Sequence, residues 1–167
     1  MKISLLFTWC VLALTGCAFS SVDRPNVQQF KTRITSANFP LLQKGDALDI
    51  AGAAMRSIGF EVGSSTPELG EVKSAAKPAL VPLVCDCGSW NGTQISGTAD
   101  SVFSVSIERS GTSDALLKFN IACATNFKGQ NLFGATTRNE TYQCASTGVL
   151  EDRFLENFTK IKTERGK

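Results

Sequence analysis

The chain of 167 residues contains no histidine, a single tyrosine and two methionines. Lacking histidine, it has neither the usual general base, nor the commonest metal ligand, nor the usual switch between pH 5 and 8. A hydrolase built on a serine-histidine pair is therefore excluded. An excess of charge of one sign is missing too: 17 Lys and Arg stand against 15 Asp and Glu, a formal net charge of +2. No strong field draws a polyanion, so nucleic acid is not expected as a partner. There is no glycine-rich phosphate loop, because Gly52 and Gly59 punctuate a helical pattern rather than open one, and there is no nucleophile elbow. Glu68, Glu71, Asp100, Asp114, Glu151 and Asp152 fall in turns and helix starts, where capping and solvation account for them. The expectation is a protein that is not an enzyme and needs no metal or cofactor. A second long apolar run is also missing after residues 3–14, so no membrane span is expected there.

What the chain does have begins with Lys2 and the apolar residues 3–14, too short a run to cross a bilayer, which takes roughly 20 residues. A charged residue ahead of a short apolar core is the pattern of a cleaved secretory signal. The run closes on Leu14-Thr15-Gly16-Cys17, which resembles the lipobox of bacterial lipoproteins. The resemblance implies that the Cys17 thiol is diacylated and that cleavage leaves Cys17 as the first residue. It also implies the outer membrane, because Ala18 stands where an aspartate would favour inner-membrane retention. On this reading residues 1–16 are the signal, 17–26 a lipidated tether, and 27–167 a single domain facing the periplasm. The lipid is then the one membrane contact. The alternative is an ordinary signal cut near Ser20 or Ser21, with Cys17 discarded. In a secreted eukaryotic chain, Asn91-Gly92-Thr93, Asn139-Glu140-Thr141 and Asn157-Phe158-Thr159 would then matter as glycosylation acceptors.

Of six cysteines, Cys10 leaves with the signal and Cys17 carries lipid, so Cys85, Cys87, Cys123 and Cys144 remain. In an oxidising compartment an even number of thiols is expected as disulfides, here in three formal pairings. Bonding Cys85 to Cys87 would close a very tight ring. Each is therefore expected to bond one of Cys123 and Cys144; which goes where is left open. A soft-metal site or a redox pair at Cys85-Asp86-Cys87 fits less well. One intervening residue is fewer than zinc or redox pairs usually have, and the compartment oxidises free thiols.

Hydrophobic periodicity places the elements. Residues 27–35 alternate, with Phe30, Thr32 and Ile34 opposite Gln29, Lys31 and Arg33, and predict a half-buried strand. Residues 38–44 read as a loop, and Asp46 is placed to cap a helix over 47–58 whose core face carries Leu48, Ala51, Met55 and Ile58. Residues 60–63 and 69–75 read as two strands, with Phe60 and Val62 facing Leu69 and Val72. The sequence from Ala51 to Lys77, with Ile58-Gly59-Phe60 and Glu68-Leu69-Gly70, resembles small proteobacterial envelope lipoproteins that carry a β-α-β-β module, and the resemblance covers about a sixth of the chain. An assembly role for that module comes by analogy only.

Pro78 and Pro82 bracket an irregular crossing and argue against a central strand there. Residues 101–109 alternate with Phe103, Val105 and Ile107 on one face, and a return strand carries Leu117, Phe119, Ile121 and Cys123. Residues 126–138 read as a glycine-containing loop, 140–145 as a short strand with Tyr142 and Cys144 on one side. Thr147 is placed to cap a last helix facing the core through Leu150, Phe154, Phe158 and Ile161.

These elements predict an α+β fold, an antiparallel sheet of five or six strands with two amphipathic helices on one face. The expected function is a non-catalytic accessory or protein-interaction module whose partner is an envelope protein. Trp90, Phe127, Leu132 and Phe133 are the candidate contacts, beside Lys128 and Arg138. Each aromatic could instead fold back, Trp90 as a lid over the disulfides and the others as a cap on the sheet edge. A small apolar ligand held between sheet and helices by Phe103, Phe119 and Phe154 is the alternative function. A thiol-based redox or metal-binding protein is the third.

Overall fold

The computed structural model of the chain describes residues 22–23, 36–40, 42–90, 92–110, 114–130 and 136–166. The signal, Cys17 and the strand predicted at 27–35 lie outside them. In chain order the strands are β1 (Val22–Asp23), β2 (Ser36–Phe39), β3 (Val62–Thr66), β4 (Glu71–Ser74), β5 (Lys77–Val81), β6 (Cys85–Asp86), β7 (Ser89–Trp90), β8 (Thr93–Gln94), β9 (Gly97–Ser110), β10 (Asp114–Gln130) and β11 (Thr136–Ser146), with helices α1 (Lys44–Ser57) and α2 (Val149–Arg165).

The long hairpin of β9 and β10 is the spine. Its alternation sets Phe103 opposite Ile121, Val105 opposite Phe119 and Ile107 opposite Leu117. All six side chains are buried. Aromatic and branched side chains paired in this way across two strands are what stabilises a sheet face. Each outer edge of the hairpin is shared end to end by two shorter strands: β5 and then β4 pair with β9, while β2 and then β11 pair with β10. β3 and β6 complete an antiparallel sheet of eight strands, and β1, β7 and β8 form a small separate sheet.

Both helices cover the face that carries these side chains. α1 buries Ala47, Leu48, Ile50, Ala51, Ala54 and Met55. Its small residues allow it to approach closely, as dense packing requires. α2 buries Phe154 and Phe158, with Leu150, Leu155 and Ile161 packed at the margin. Phe154 lies between Phe103 and Phe119, with ring centroids 4.8 and 5.1 Å away.

The sheet has eight strands where five or six were expected, because β2, β5 and β6 occupy stretches read as loops. A ladder at a sheet edge needs only backbone partners, so a short or proline-containing segment can join it without alternating. Pro78 accordingly sits in β5, at the flank of the spine rather than in the middle of the sheet. α1 begins at Lys44, ahead of Asp46, and Gln43 at its N-cap position makes no side-chain cap. Asp46 lies in the first turn, where its charge suits the helix dipole.

Leu69 does not face Phe60 or Val62. It stands in the turn between β3 and β4, 68 % exposed, while Ser65 pairs with Val72. Gly70 closes that turn at φ +70°, its carbonyl accepting from the Ile107 amide, and a Cβ there would lie 2.6 Å from the Ile107 oxygen. Only glycine meets both conditions without strain. Thr147 caps nothing: its hydroxyl donates to the carbonyls of Leu83 and Val84, and Gly148 takes the N-cap position at φ 87°.

Candidate functional site

The first of three candidate places is the cysteine staple. Cys123 and Cys144 sit directly opposite each other on β10 and β11, both on the buried face. β6 runs along the far edge of β11, pairing Asp86 with Ala145 and Cys85 with Ser146. From there Cys85 bonds Cys123 and Cys87 bonds Cys144. Asp86, between them, accepts a 2.8 Å hydrogen bond from the Gly88 amide, which turns the chain out of β6. All four sulfurs are buried and joined in pairs, so none offers a thiolate to a substrate or a metal in this state. Among the described residues no group of three or more cysteines, acids or histidines is gathered as metal ligands.

The chain leaves this staple into the β7 and β8 hairpin, which carries Trp90. Trp90 pairs with Thr93 and, on its other side, with Val22. The ring is half-buried and borders a groove of about 220 Å³ with Thr93, Ile95, Thr125 and Asn126. Phe127 is not in a loop: β10 continues through it to Gln130, and Phe127 pairs with Glu140 of β11. Arg138 and Lys128 are likewise strand residues, opposite Gly129 and Asn139. The alternation stops near Ala124 because β9 no longer flanks the ladder beyond that point, so neither hydrophobic face is required of this two-stranded arm. Leu132 and Phe133 lie outside the described residues.

The second place is one the sequence misassigned. Glu151, expected as a solvated first-turn acid, is 5 % exposed. It lies along the β10 edge between β2 and β11, where among the described residues no strand pairs with Ile121. The Ile121 amide donates to Oε1 at 3.3 Å, and the Ser146 hydroxyl donates to Oε2 at 2.8 Å. The opposite edge repeats the device: between β4 and β5, the Phe103 amide donates to the Ser74 hydroxyl oxygen at 2.9 Å. A buried amide with no acceptor costs about 1 to 3 kcal/mol, so both side chains serve as substitute strand residues. A carboxylate three places into a helix is usually a dipole residue, and no periodicity marks it as a plug.

Burial pushes the Glu151 carboxyl above the ordinary value of 4.5, against the hydrogen bonds from Ser146 and the backbone, which lower it. The folded protein thus holds a proton that the unfolded chain has already released, and this contribution to stability is lost as pH rises from about 4.5 through the raised value. Glu151→Gln keeps an acceptor for Ile121 and places a donor toward Ser146, as the protonated acid does. Relative to the parent, Glu151→Gln should gain stability between pH 4.5 and 7.5, read from urea midpoints at the two values. A parent that gains on the variant over that range would show that the ionised carboxylate is the favoured form. Glu151→Ala should lose about 2 to 3 kcal/mol at both values, because the Ile121 amide is left unpaired.

The third place is the sheet face opposite the helices. Its centre holds Val102 and Ala122, paired across the spine, with Ser104 opposite Asn120 and Ser106 opposite Lys118. A groove of about 480 Å³ crosses it between Glu71 and Lys73 on one side and Lys118 and Asn120 on the other. The ion pairs Lys73 with Glu71 and Lys118 with Glu108 border it, at 3.2 and 2.7 Å. Both are exposed, so they contribute little to folding. Leu80 of β5, paired with Thr98, adds an aliphatic side chain 58 % exposed. Among the described residues, no helix is long and apolar enough to cross a membrane. Comparison with protein-family models and with curated proteins gives no match to the chain.

Proposed function

We propose that this protein is a lipid-anchored accessory of the bacterial outer membrane. It holds an envelope protein against the sheet face opposite the helices and catalyses no reaction itself. The observation that supports this is the one-sided layering: both helices lie on one face of the spine, and the other face presents Val102, Ser104, Asn120 and Ala122 around a shallow groove. Small side chains let a partner's backbone come close, and the flanking Lys73, Lys118, Glu71 and Glu108 supply a polar rim of both signs. A lipid at Cys17 would raise the local concentration of such a weak binder near its partner. The connection between β10 and β11, with Leu132 and Phe133, is a second contact in this reading.

The alternative, an apolar ligand between sheet and helices, needs a void lined by Phe103, Phe119 and Phe154. Those rings instead touch one another, at centroid distances from 4.8 to 6.5 Å. The test is photo-crosslinking in the native envelope from probes placed singly at Ser104, Asn120 and Phe133, with Glu164 on the outer side of α2 as control. A discrete protein adduct from Ser104 or Asn120, and none from Glu164, is expected. No protein adduct from either sheet position in folded protein would overturn the sheet face as the contact, and an adduct from Phe133 alone would move the contact to the β10 to β11 connection.

A further inference from the structure

We propose that the β7 and β8 hairpin rests on the membrane that holds the lipid anchor, with Trp90 at the level of the lipid headgroups. This inference rests on the reading of Cys17 as the acylated first residue, and deepens it by assigning the domain an orientation. The observation behind it is the pairing of β1 with β7, Val22 opposite Trp90 and Asp23 opposite Ser89. A tether of nine or ten residues would ordinarily let a domain swing freely above a bilayer. Here Val22 and Asp23 of it are built into a sheet.

Only Ala18, Phe19, Ser20 and Ser21 separate Cys17 from the paired Val22. Five residue steps span at most about 18 Å when fully extended, and directly paired residues lie about 5 Å apart. Trp90 is therefore confined within roughly 23 Å of the acylated cysteine, a distance comparable to one leaflet with its headgroups.

Two features of composition favour contact over mere proximity. Residues 88–98, which contain the whole hairpin, carry no charged side chain, and neither do residues 17–22. Asp23, opposite Ser89, and Asp86, whose carboxylate accepts from the Gly88 amide, lie on the side away from the hairpin tip, so the charge-free part is the tip with Trp90. Tryptophan, with an apolar body and one polar N–H, is the side chain most suited to the boundary between acyl chain and headgroup. The opposite end of the spine carries Glu68, Glu108 and Asp114, together with Lys44 and Lys118, and is better placed in water.

Trp9 lies in the signal, so in the processed protein Trp90 is the sole tryptophan and its emission reports this site alone. The full-length processed protein is purified from the envelope, and its intact mass establishes whether Cys17 is acylated. It is then reconstituted into vesicles of phosphatidylethanolamine and phosphatidylglycerol doped with a headgroup spin-labelled lipid. The expected result is emission reduced about twofold by the label and shifted to the blue, as for a tryptophan at the interface. A Cys17→Ser form made with a conventional cleavable signal in place of residues 1–16, which is processed but cannot be acylated, should show neither effect. A Trp90→Phe, Ser104→Trp form, with its probe on the sheet face opposite the helices, should be acylated but scarcely quenched. Acylated, vesicle-bound protein whose Trp90 emission matches the Cys17→Ser form would overturn the docking while leaving the anchor intact. Equal quenching from Ser104→Trp would overturn it in favour of a domain lying on its sheet face. A mass without the lipid would overturn both the anchor and the docking.

Discussion

Replacing Cys85 and Cys123 together by alanine should lower the free energy of unfolding by about 3 to 4 kcal/mol, on the chain-entropy account in which a crosslink acts by restricting the unfolded chain. The bond spans 38 residues and the second, between Cys87 and Cys144, spans 57. Because the entropy of loop closure grows only with the logarithm of length, the two paired replacements should differ by less than about 0.5 kcal/mol. Removing both bonds should cost somewhat more than the sum of the two single losses. With either bond in place the other closes only a smaller ring that runs through it, whereas the last bond to be removed restrains its full loop. The loss approaches the whole stability of an ordinary domain, about 5 to 15 kcal/mol, so the chain without either bond should be largely unfolded at 37 °C. Urea midpoints of the two double variants decide this. A loss below about 1 kcal/mol in either would show that the bond restrains an already compact unfolded chain. Two losses differing by 2 kcal/mol or more would show that packing of the buried sulfurs, not loop length, sets the value.

The second large effect is expected at Phe154. Its side chain is fully buried and meets the rings of Phe103, Phe119 and Phe158 at 4.8, 5.1 and 5.9 Å. It is the point where α2, β9 and β10 meet. Phe154→Ala should cost about 4 kcal/mol, the sum of lost transfer energy and the cavity that a rigid sheet cannot collapse to fill. Phe154→Leu retains most of the volume and should cost about 1.5 kcal/mol. Leu69→Ala, at an exposed turn residue of similar hydrophobicity, should stay within about 0.5 kcal/mol. A small loss at Phe154 would mean that the seam repacks. That result would restore the apolar-ligand reading, since a seam that adjusts so readily could open for a guest.

How much of this was legible beforehand depends on what each signal reports. Alternation along 101–109 and 117–123 placed Phe103, Val105, Ile107, Leu117, Phe119, Ile121 and Cys123 on the buried face, and all are buried. The helical spacing of Leu48, Ala51, Met55, Phe154 and Phe158 placed those residues in the core as well. Periodicity registers which face of an element is removed from water, and here that face is uniform along each element.

The same signal is silent where no face is buried. Residues 126–138 read as a loop because Asn126, Lys128 and Gly129 carry no alternation, whereas 126–130 and 136–138 are paired strand. The paired backbone there forms the ladder, and the Thr141 hydroxyl donates to Asn126 Oδ1 across it at 2.8 Å. β2 offers only Phe39 as a buried side chain, and β5 carries a proline, so both escaped notice.

Within the candidate sites, ring strain and compartment point to cross-bonding of the cysteines, but the choice between two cross-pairings depends on the register of β6 against β11. Glu151 was misplaced for a related reason. Its burial follows from a gap in a ladder formed by residues 30 positions away, and a gap is a property of the assembled sheet.

The sequence by itself determined the elements with one buried face: the α+β class, the long hairpin and the two amphipathic helices. It also supplies the lipobox-like signal on which the anchor reading stands, a pattern contained within a few adjacent residues. Only the tertiary structure decided which strands share an edge, which cysteine meets which, that a carboxylate and a serine stand in for missing strand residues, and that Val22 and Asp23 pair beside Trp90. The division is physical. Burial of one face is encoded locally by residue spacing, whereas edge pairing, register and the filling of gaps depend on backbone groups that every residue carries alike, and so are settled only when distant segments meet.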